Sequence, residues 1–156
     1  GKLGHGMARF LAGEDTGKRC ELLPYCLFRR TEFIDGQRPS QLTPQMRVVR
    51  VIAGSQHSVL ITEKGDMLTF GWQKAIGHGS ECGNEFEPIC VHMQTASTSG
   101  TEPIVVTTGS AGTHQTIVQT AANKLLIFGG GEFGPLCTGT LDPAPSRPTE
   151  LHLLED

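Results

Sequence analysis

Between residues 48 and 71 the chain alternates short β-rich runs with polar turns. Val48 to Ala53 is β-branched and apolar, bounded by Gly54, which predicts a strand. Ser58 to Thr62 predicts a second, and Met67 to Phe70 a third. Between them Glu63-Lys64-Gly65-Asp66 reads as a hairpin turn. The same order returns downstream. Ile104 to Val106, Thr116 to Gln119 and Leu125 to Phe128 predict strands, with a turn near Thr120 to Asn123. Runs of this length and spacing predict meandering antiparallel sheets. No stretch carries the 3.6-residue apolar period of an amphipathic helix.

The two sets of runs are copies. VRVIAGSQHSVLITEKGDMLTFG, 49 to 71, matches IVVTTGSAGTHQTIVQTAANKLLIFG, 104 to 129. By residue identity Gly54 pairs with Gly109, His57 with His114, and Phe70-Gly71 with Phe128-Gly129. The offsets are 55, 57 and 58, a period of about 57 with small insertions. After each Phe-Gly stands a glycine-bearing hexamer: KAIGHG at 74 to 79 and GPLCTG at 134 to 139. Both align with GKLGHG at 1 to 6. Pro88 stands nine positions after Gly79, and Pro148 nine after Gly139. The chain thus reads as the tail of one repeat, two nearly whole repeats at about 39–79 and 88–139, and the first residues of another. The corresponding stretch from Gly6 to Pro39 is 24 residues longer, which marks residues 7–37 as an insertion. One sheet of three or four strands cannot bury both its faces, and radial stacking of such sheets is the propeller solution.

Composition agrees with this picture. The 156 residues include 20 glycines, above the usual share of about 7% and in keeping with a turn-rich, all-β chain. Charged residues are 19% and the net charge is -3, which supplies no basic footprint for nucleic acid. No apolar run approaches the roughly 18 residues of a membrane-spanning helix. Five cysteines, at 20, 26, 82, 90 and 137, form no CxxC pair. Free thiols in a reducing intracellular compartment, nucleus or cytoplasm, are the simplest reading. Cys90 and Cys137 are expected to be half-buried and unpaired. Cys20 and Cys26 with His5 or His92 match no common zinc spacing.

With the glycine-x-x-histidine strand, the Phe-Gly strand end and the hexamer in register, the chain resembles RCC1 repeats, named for the regulator of chromosome condensation. Lys74 and Cys137 depart from the glycines of the hexamer pattern. Members of that family form seven-bladed propellers. The resemblance therefore implies an incomplete propeller, about two and a half repeats within 1–156. It also implies work by contact: a scaffold that docks another protein or the missing blades, or alternatively guanine-nucleotide exchange on a Ran-type small GTPase.

Candidate chemistry is sparse. His57 and His114 recur with the repeat and are expected to pack or hydrogen-bond within each blade. Gly54 and Gly109 are expected to sit where a Cβ does not fit. Gly4 and Gly77 are read the same way, as tight turns or close approaches. GGGEFG at 129–134 lacks the Lys-Ser/Thr of a phosphate loop. No HExxH, GxSxG or Cys-His signature suggests an enzyme. No catalytic, metal or cofactor residue is assigned. The insertion carries CELLPYCLFRRTEF, and Tyr25, Phe28, Arg29 and Arg30 are residue types enriched at interaction hot spots, making them the candidate partner-binding set.

Overall fold

The structure is a computed structural model and describes residues 40–93, 104–130 and 146–151. They form two four-stranded antiparallel sheets, ordered β1-β2-β3-β4 and β5-β6-β7-β8. The first holds β1 (Val48–Ala53), β2 (His57–Thr62), β3 (Met67–Gly71) and β4 (Glu85–Cys90). The second holds β5 (Val106–Ala111), β6 (Gln115–Thr120), β7 (Leu125–Gly129) and β8 (Thr149–Glu150).

The ladders repeat residue for residue. His57 pairs with Gly71 as Gln115 pairs with Gly129, and Leu60 with Leu68 as Val118 with Leu126. Even the bulge recurs, between Val48 and Arg50 and between Val106 and Thr108. Turn bonds follow suit. Gly54 N donates to His57 O and Gly112 N to Gln115 O; Trp72 N donates to Gln56 O and Gly130 N to His114 O. From Val48–Gly71 to Val106–Gly129 the offset is therefore 58 throughout, with no insertion.

The ladder thus corrects the pairing by residue identity. Gly54 corresponds to Gly112 and His57 to Gln115, while Gly109 lies inside β5 and corresponds to Val51. The expected strand at 104–106 accordingly becomes Val106–Ala111. Gly109 is a strand glycine with a neighbour where its Cβ would be.

The strand at Glu85–Cys90 was not expected. EFEPIC carries two glutamates and a proline, which hide it as a strand. β4 is an outer strand, where proline is tolerated because its missing N–H has no ladder partner to lose. The Pro88 carbonyl is used all the same, accepting from Gln41 N at 2.8 Å. Past Pro148, Thr149–Glu150 closes the second sheet against β7 as Glu85–Cys90 closes the first. Here the offset grows to 60, the longer second connection that the hexamer spacing shows.

Contacts between the sheets concentrate on β1, β2 and β5 and thin toward β4 and β8. The sheets converge at β1 and β5 and splay outward, the arrangement of blades around a hub. One core fills the wedge between them. Val59, Ile61 and Met67 of the first sheet meet Val106, Val118, Leu126 and Phe128 of the second, with Val91 beneath. The other face of the first sheet buries Leu60, Leu68 and Phe70 under Leu42.

Candidate functional site: the seam between the sheets

Alternation along the strands decides which side chains enter the seam. His57, Val59, Ile61, Met67 and Thr69 lie on one face of β2 and β3. Thr116, Val118, Leu126 and Phe128 lie on the facing side of β6 and β7. At the seam's end His57 is 1% exposed, and its Nε2 stands 2.6 Å from Thr116 Oγ1. The other ring nitrogen, Nδ1, has no hydrogen-bond partner among the described residues. A buried N–H without an acceptor is rarer and costlier than a lone pair without a donor. That assigns the proton to Nε2, which donates to the threonine hydroxyl. Burial, with a smaller contribution from the nearby His114, lowers the His57 pKa to about 4, so the ring is neutral across the physiological range.

Gly54 makes room for that ring. A methyl group on Gly54 would lie 2.6 Å from His57 Nδ1 and 2.8 Å from the Gly112 carbonyl oxygen. On Gly109 it would lie 2.7 Å from the Ile117 carbonyl oxygen and 2.8 Å from Val118 Cγ1. Both glycines meet the expectation of a close approach, and neither has a positive φ.

The hexamer is the seam's second fastening. Gly77, at φ 78°, sets its Cα against the ring of Phe128, where an added Cβ would come within 2.8 Å. Ile76 and His78 are tied back to the first sheet through Thr69. Its hydroxyl donates to the Ile76 carbonyl at 2.6 Å and accepts from His78 Nε2 at 3.0 Å. Gly79 N reaches across to the Ser146 carbonyl at 2.9 Å, and Val106 N to the Gly65 carbonyl at 3.0 Å. Gly77 is thus both a tight turn and a close approach, as expected. The hexamer acts as a clasp.

His57 and His114 do not play equivalent parts. His114 lies in the loop before β6, its ring 4.7 Å from that of Trp72. Lys74 Nζ lies 5.5 Å from the centre of the Trp72 ring. β1 and β3 run parallel, so the loops after them emerge at one end. The Ser55 N to Gly112 O bond brings the β5–β6 loop there too. Sequence reading passed over Trp72 and took Lys74 only as a departure from the hexamer pattern. The chain has a single tryptophan, and its place beside the hexamer was the available signal.

Tyr25, Phe28, Arg29 and Arg30, the whole 7–37 insertion, GKLGHG, GPLCTG, Gly4, His5, Cys20, Cys26 and Cys137 lie outside the described residues. Cys82 and Cys90 are in no disulfide among the described residues and are of intermediate exposure, as expected for Cys90. Burial, helped by Asp66, pushes the Cys90 thiol pKa upward, toward the unreactive neutral form. Among the described residues no group of His, Cys, Asp and Glu is placed to hold a metal ion.

Comparison with known proteins decides what the wedge of sheets is. No protein-family model matches the chain. Over 111 residues it is 32% identical to the E3 ubiquitin-protein ligase HERC2 of Homo sapiens, and equally to that of Mus musculus. The matched part is 70% of this chain and 2% of HERC2. Human WBSCR16 superposes with a TM-score of 0.60 at 16% identity, covering 74% of this chain and 29% of that structure. Prp20p from Saccharomyces cerevisiae gives 0.59 at 15%, covering 78% and 30%. Yeast RCC1 (Prp20) bound to Kap60 gives 0.57 at 15%, covering 74% and 27%. The two sheets are blades of an RCC1-like β-propeller. Structural likeness at these identities carries the fold. The chain spans less than a third of each solved relative and about 2% of HERC2.

Proposed function

We propose that the chain works by protein–protein contact, as RCC1-like blades that hold loops in a fixed relation for another protein or for further blades. The observation behind this is the seam. Its apolar core is closed by the His57–Thr116 bond at one point and the hexamer clasp at another. Two blades so joined move as one body, and rigid scaffolds with exposed loops are a common basis for partner selection. At the loop end, Trp72, Lys74 and His114 come together from both blades. Tyr25, Phe28, Arg29 and Arg30 form the second candidate set, on composition. The test is affinity capture with three baits: the unaltered chain, Trp72→Ala, and a chain with all four insertion residues changed to alanine. Partners lost from either variant but not from the unaltered chain support the reading. Identical captures by all three would refute it.

A second reading is guanine-nucleotide exchange on a Ran-type small GTPase. Its support is the likeness to Prp20p, whose structure was described together with its binding to Gsp1p and histones. Such activity needs only that the propeller bind the nucleotide-free GTPase more tightly than the loaded one. Release of a fluorescent guanine nucleotide from the GTPase, with and without the chain, separates the readings. Acceleration selects exchange. An unchanged rate leaves the scaffold.

A further inference from the structure

At the loop end of the blades the repeat does not dictate the side chains. Trp72 N donates to Gln56 O as Gly130 N donates to His114 O, so Trp72 is the counterpart of Gly130 and Gln56 of His114. The glycines before them, Gly71 and Gly129, share φ values of 124° and 120°. The second blade makes the same turn with glycine, so the backbone asks for no indole there. Trp72 and His114 are additions to the blade pattern, and each meets the other from a different blade.

The cluster is rigid at its base. Trp72 N is held by Gln56 O at 2.9 Å, and the Trp72 carbonyl accepts from Ala75 N at 2.9 Å. Gln73 N donates to Asn84 Oδ1 at 2.9 Å. The His114 ring is tilted 56° to the indole, and Lys74 Nζ stands on its ring. Gly130 closes against both: a methyl group there would lie 3.6 Å from Trp72 Cζ3 and 3.3 Å from Lys74 Cβ. Trp72 stays partly exposed, with Gln56, Gln73, Lys74 and Thr113 exposed around it. A turn tied in this way has little freedom left to lose on binding.

Charge narrows what the cluster can receive. The described loop residues 54–56, 72–75, 112–114 and 130 include Lys74 and His114 and no carboxylate. The next carboxylates along the chain are engaged or covered. Glu81 pairs with Arg147 at 3.7 Å, and Glu85, opposite Gly71 in the ladder, is 6% exposed. The turn at the other end mixes signs, with Glu63, Lys64 and Asp66. A cationic, aromatic spot on a chain of net charge -3 complements carboxylates that have an apolar neighbour. Nucleic acid and phosphate groups call for a stripe of cations or a bidentate arginine fork. The three described arginines are engaged elsewhere: Arg50 donates to Thr107 O, Arg47 pairs with Glu63 and Arg147 with Glu81.

We infer that the cluster of Trp72, Lys74 and His114 docks an acidic peptide segment of another protein, one with an apolar side chain among its carboxylates. The apolar side chain lies on Trp72, and the carboxylates meet the Lys74 ammonium and the His114 ring N–H. This deepens the reading of the chain as a protein-contact scaffold and rests on it.

The test is fluorescence anisotropy of a labelled peptide, Asp-Leu-Glu-Asp-Phe-Glu-Asp, with the unaltered chain. The control peptide has Asn and Gln in place of Asp and Glu. The acidic form should bind at least about tenfold more tightly, and should weaken as salt rises. Lys74→Glu and Trp72→Ala should each cost about tenfold in affinity, and Trp72→Phe should keep most of it. Lys64→Glu, at the opposite end, changes the net charge by the same amount and should have no effect. Lys74→Glu alters an exposed side chain, so it decides the matter even where Trp72→Ala fails to fold. Absent or equal binding of the two peptides overturns the inference. So does equal weakening by Lys64→Glu and Lys74→Glu, or tighter binding of a phosphopeptide or a single-stranded oligonucleotide. The scaffold reading survives any of these if the Trp72→Ala bait still loses partners in the affinity capture.

Discussion

The two blades share one ladder and differ in burial. In the first, every residue of β2 and β3 is buried. In the second, β6 alternates, with Thr116, Val118 and Thr120 buried and Gln115, Ile117 and Gln119 half-exposed. Backbone pairing is the same down to a bulge, so the ladder alone does not decide what is buried. The difference follows from what lies beside each face. Leu42 packs on one side of the first blade and the second blade on the other. The hydrogen bonds set the blade's shape, and the side chains on its two faces set its neighbours.

Destroying the shared face is the harshest test of that division. Phe128 is wholly buried in the seam under Gly77. Phe128→Ala should cost about 4 kcal/mol, the usual range for an aromatic core truncation, measured by urea unfolding. A cost below about 1 kcal/mol would mean that the two sheets do not share a core.

Acid probes the same seam more gently. The pKa of His57 is about 4 when folded and about 6.5 when unfolded. Above pH 6.5 neither state carries the proton, and this stability is fully present. As pH falls from about 6.5 to about 4 the unfolded chain takes up a proton that the folded chain refuses, and stability drops. The loss approaches roughly 3 kcal/mol at the lower limit. His57→Gln, which installs the residue found at the matching place in the second blade, should flatten that part of the profile. A wild-type melting temperature unchanged between pH 7 and pH 4, or a profile that the variant leaves intact, would contradict the buried neutral ring.

A matched pair of glycine exchanges compares the blades at one position. Gly109 and Val51 are counterparts, yet Val51 is 69% exposed while Gly109 has Ile52 of the first blade and its own ladder partner against it. Gly109→Val should cost about 2 kcal/mol or more by overpacking. The reverse exchange, Val51→Gly, should cost about 1 kcal/mol from backbone entropy alone. Equal costs would show that the hub side of β5 has the room that β1 has.

These contrasts also mark how far the chain could be read without coordinates. Short β-rich runs between polar turns placed β2, β3, β6 and β7 to within a residue or two at each end, because each is flanked by a turn whose chemistry is local: Gly65 at φ 85° and Asn123 at φ 60°. The hexamer and Phe-Gly motifs pointed to the RCC1-like fold because their glycines answer tertiary demands, as Gly77 does against Phe128. The strand at Glu85–Cys90 stayed hidden because its glutamates, Glu85 and Glu87, are buried, against their ordinary preference. The repeat register slipped because histidines were matched by identity. Only the ladder shows that Gln115 stands where His57 does. Trp72 and His114 are distant in sequence and meet only once the blades are stacked.

The smallest expected effect lies on the outward face. Ile117 and Val59 are ladder counterparts, one half-exposed and the other 0% exposed. Threonine keeps the β-branch at both positions, so strand propensity changes little. Val59→Thr puts a hydroxyl into the seam and should cost about 2 kcal/mol. Ile117→Thr in the same chain should cost about 0.5 kcal/mol, the scale of a surface substitution. The two variants are compared by urea unfolding under one set of conditions. If Ile117→Thr proves as costly as Val59→Thr, the outward face is already packed, and the asymmetry between the blades is lost. If the costs separate as expected, burial on the blade's faces, and not the shared ladder, sets what each position contributes.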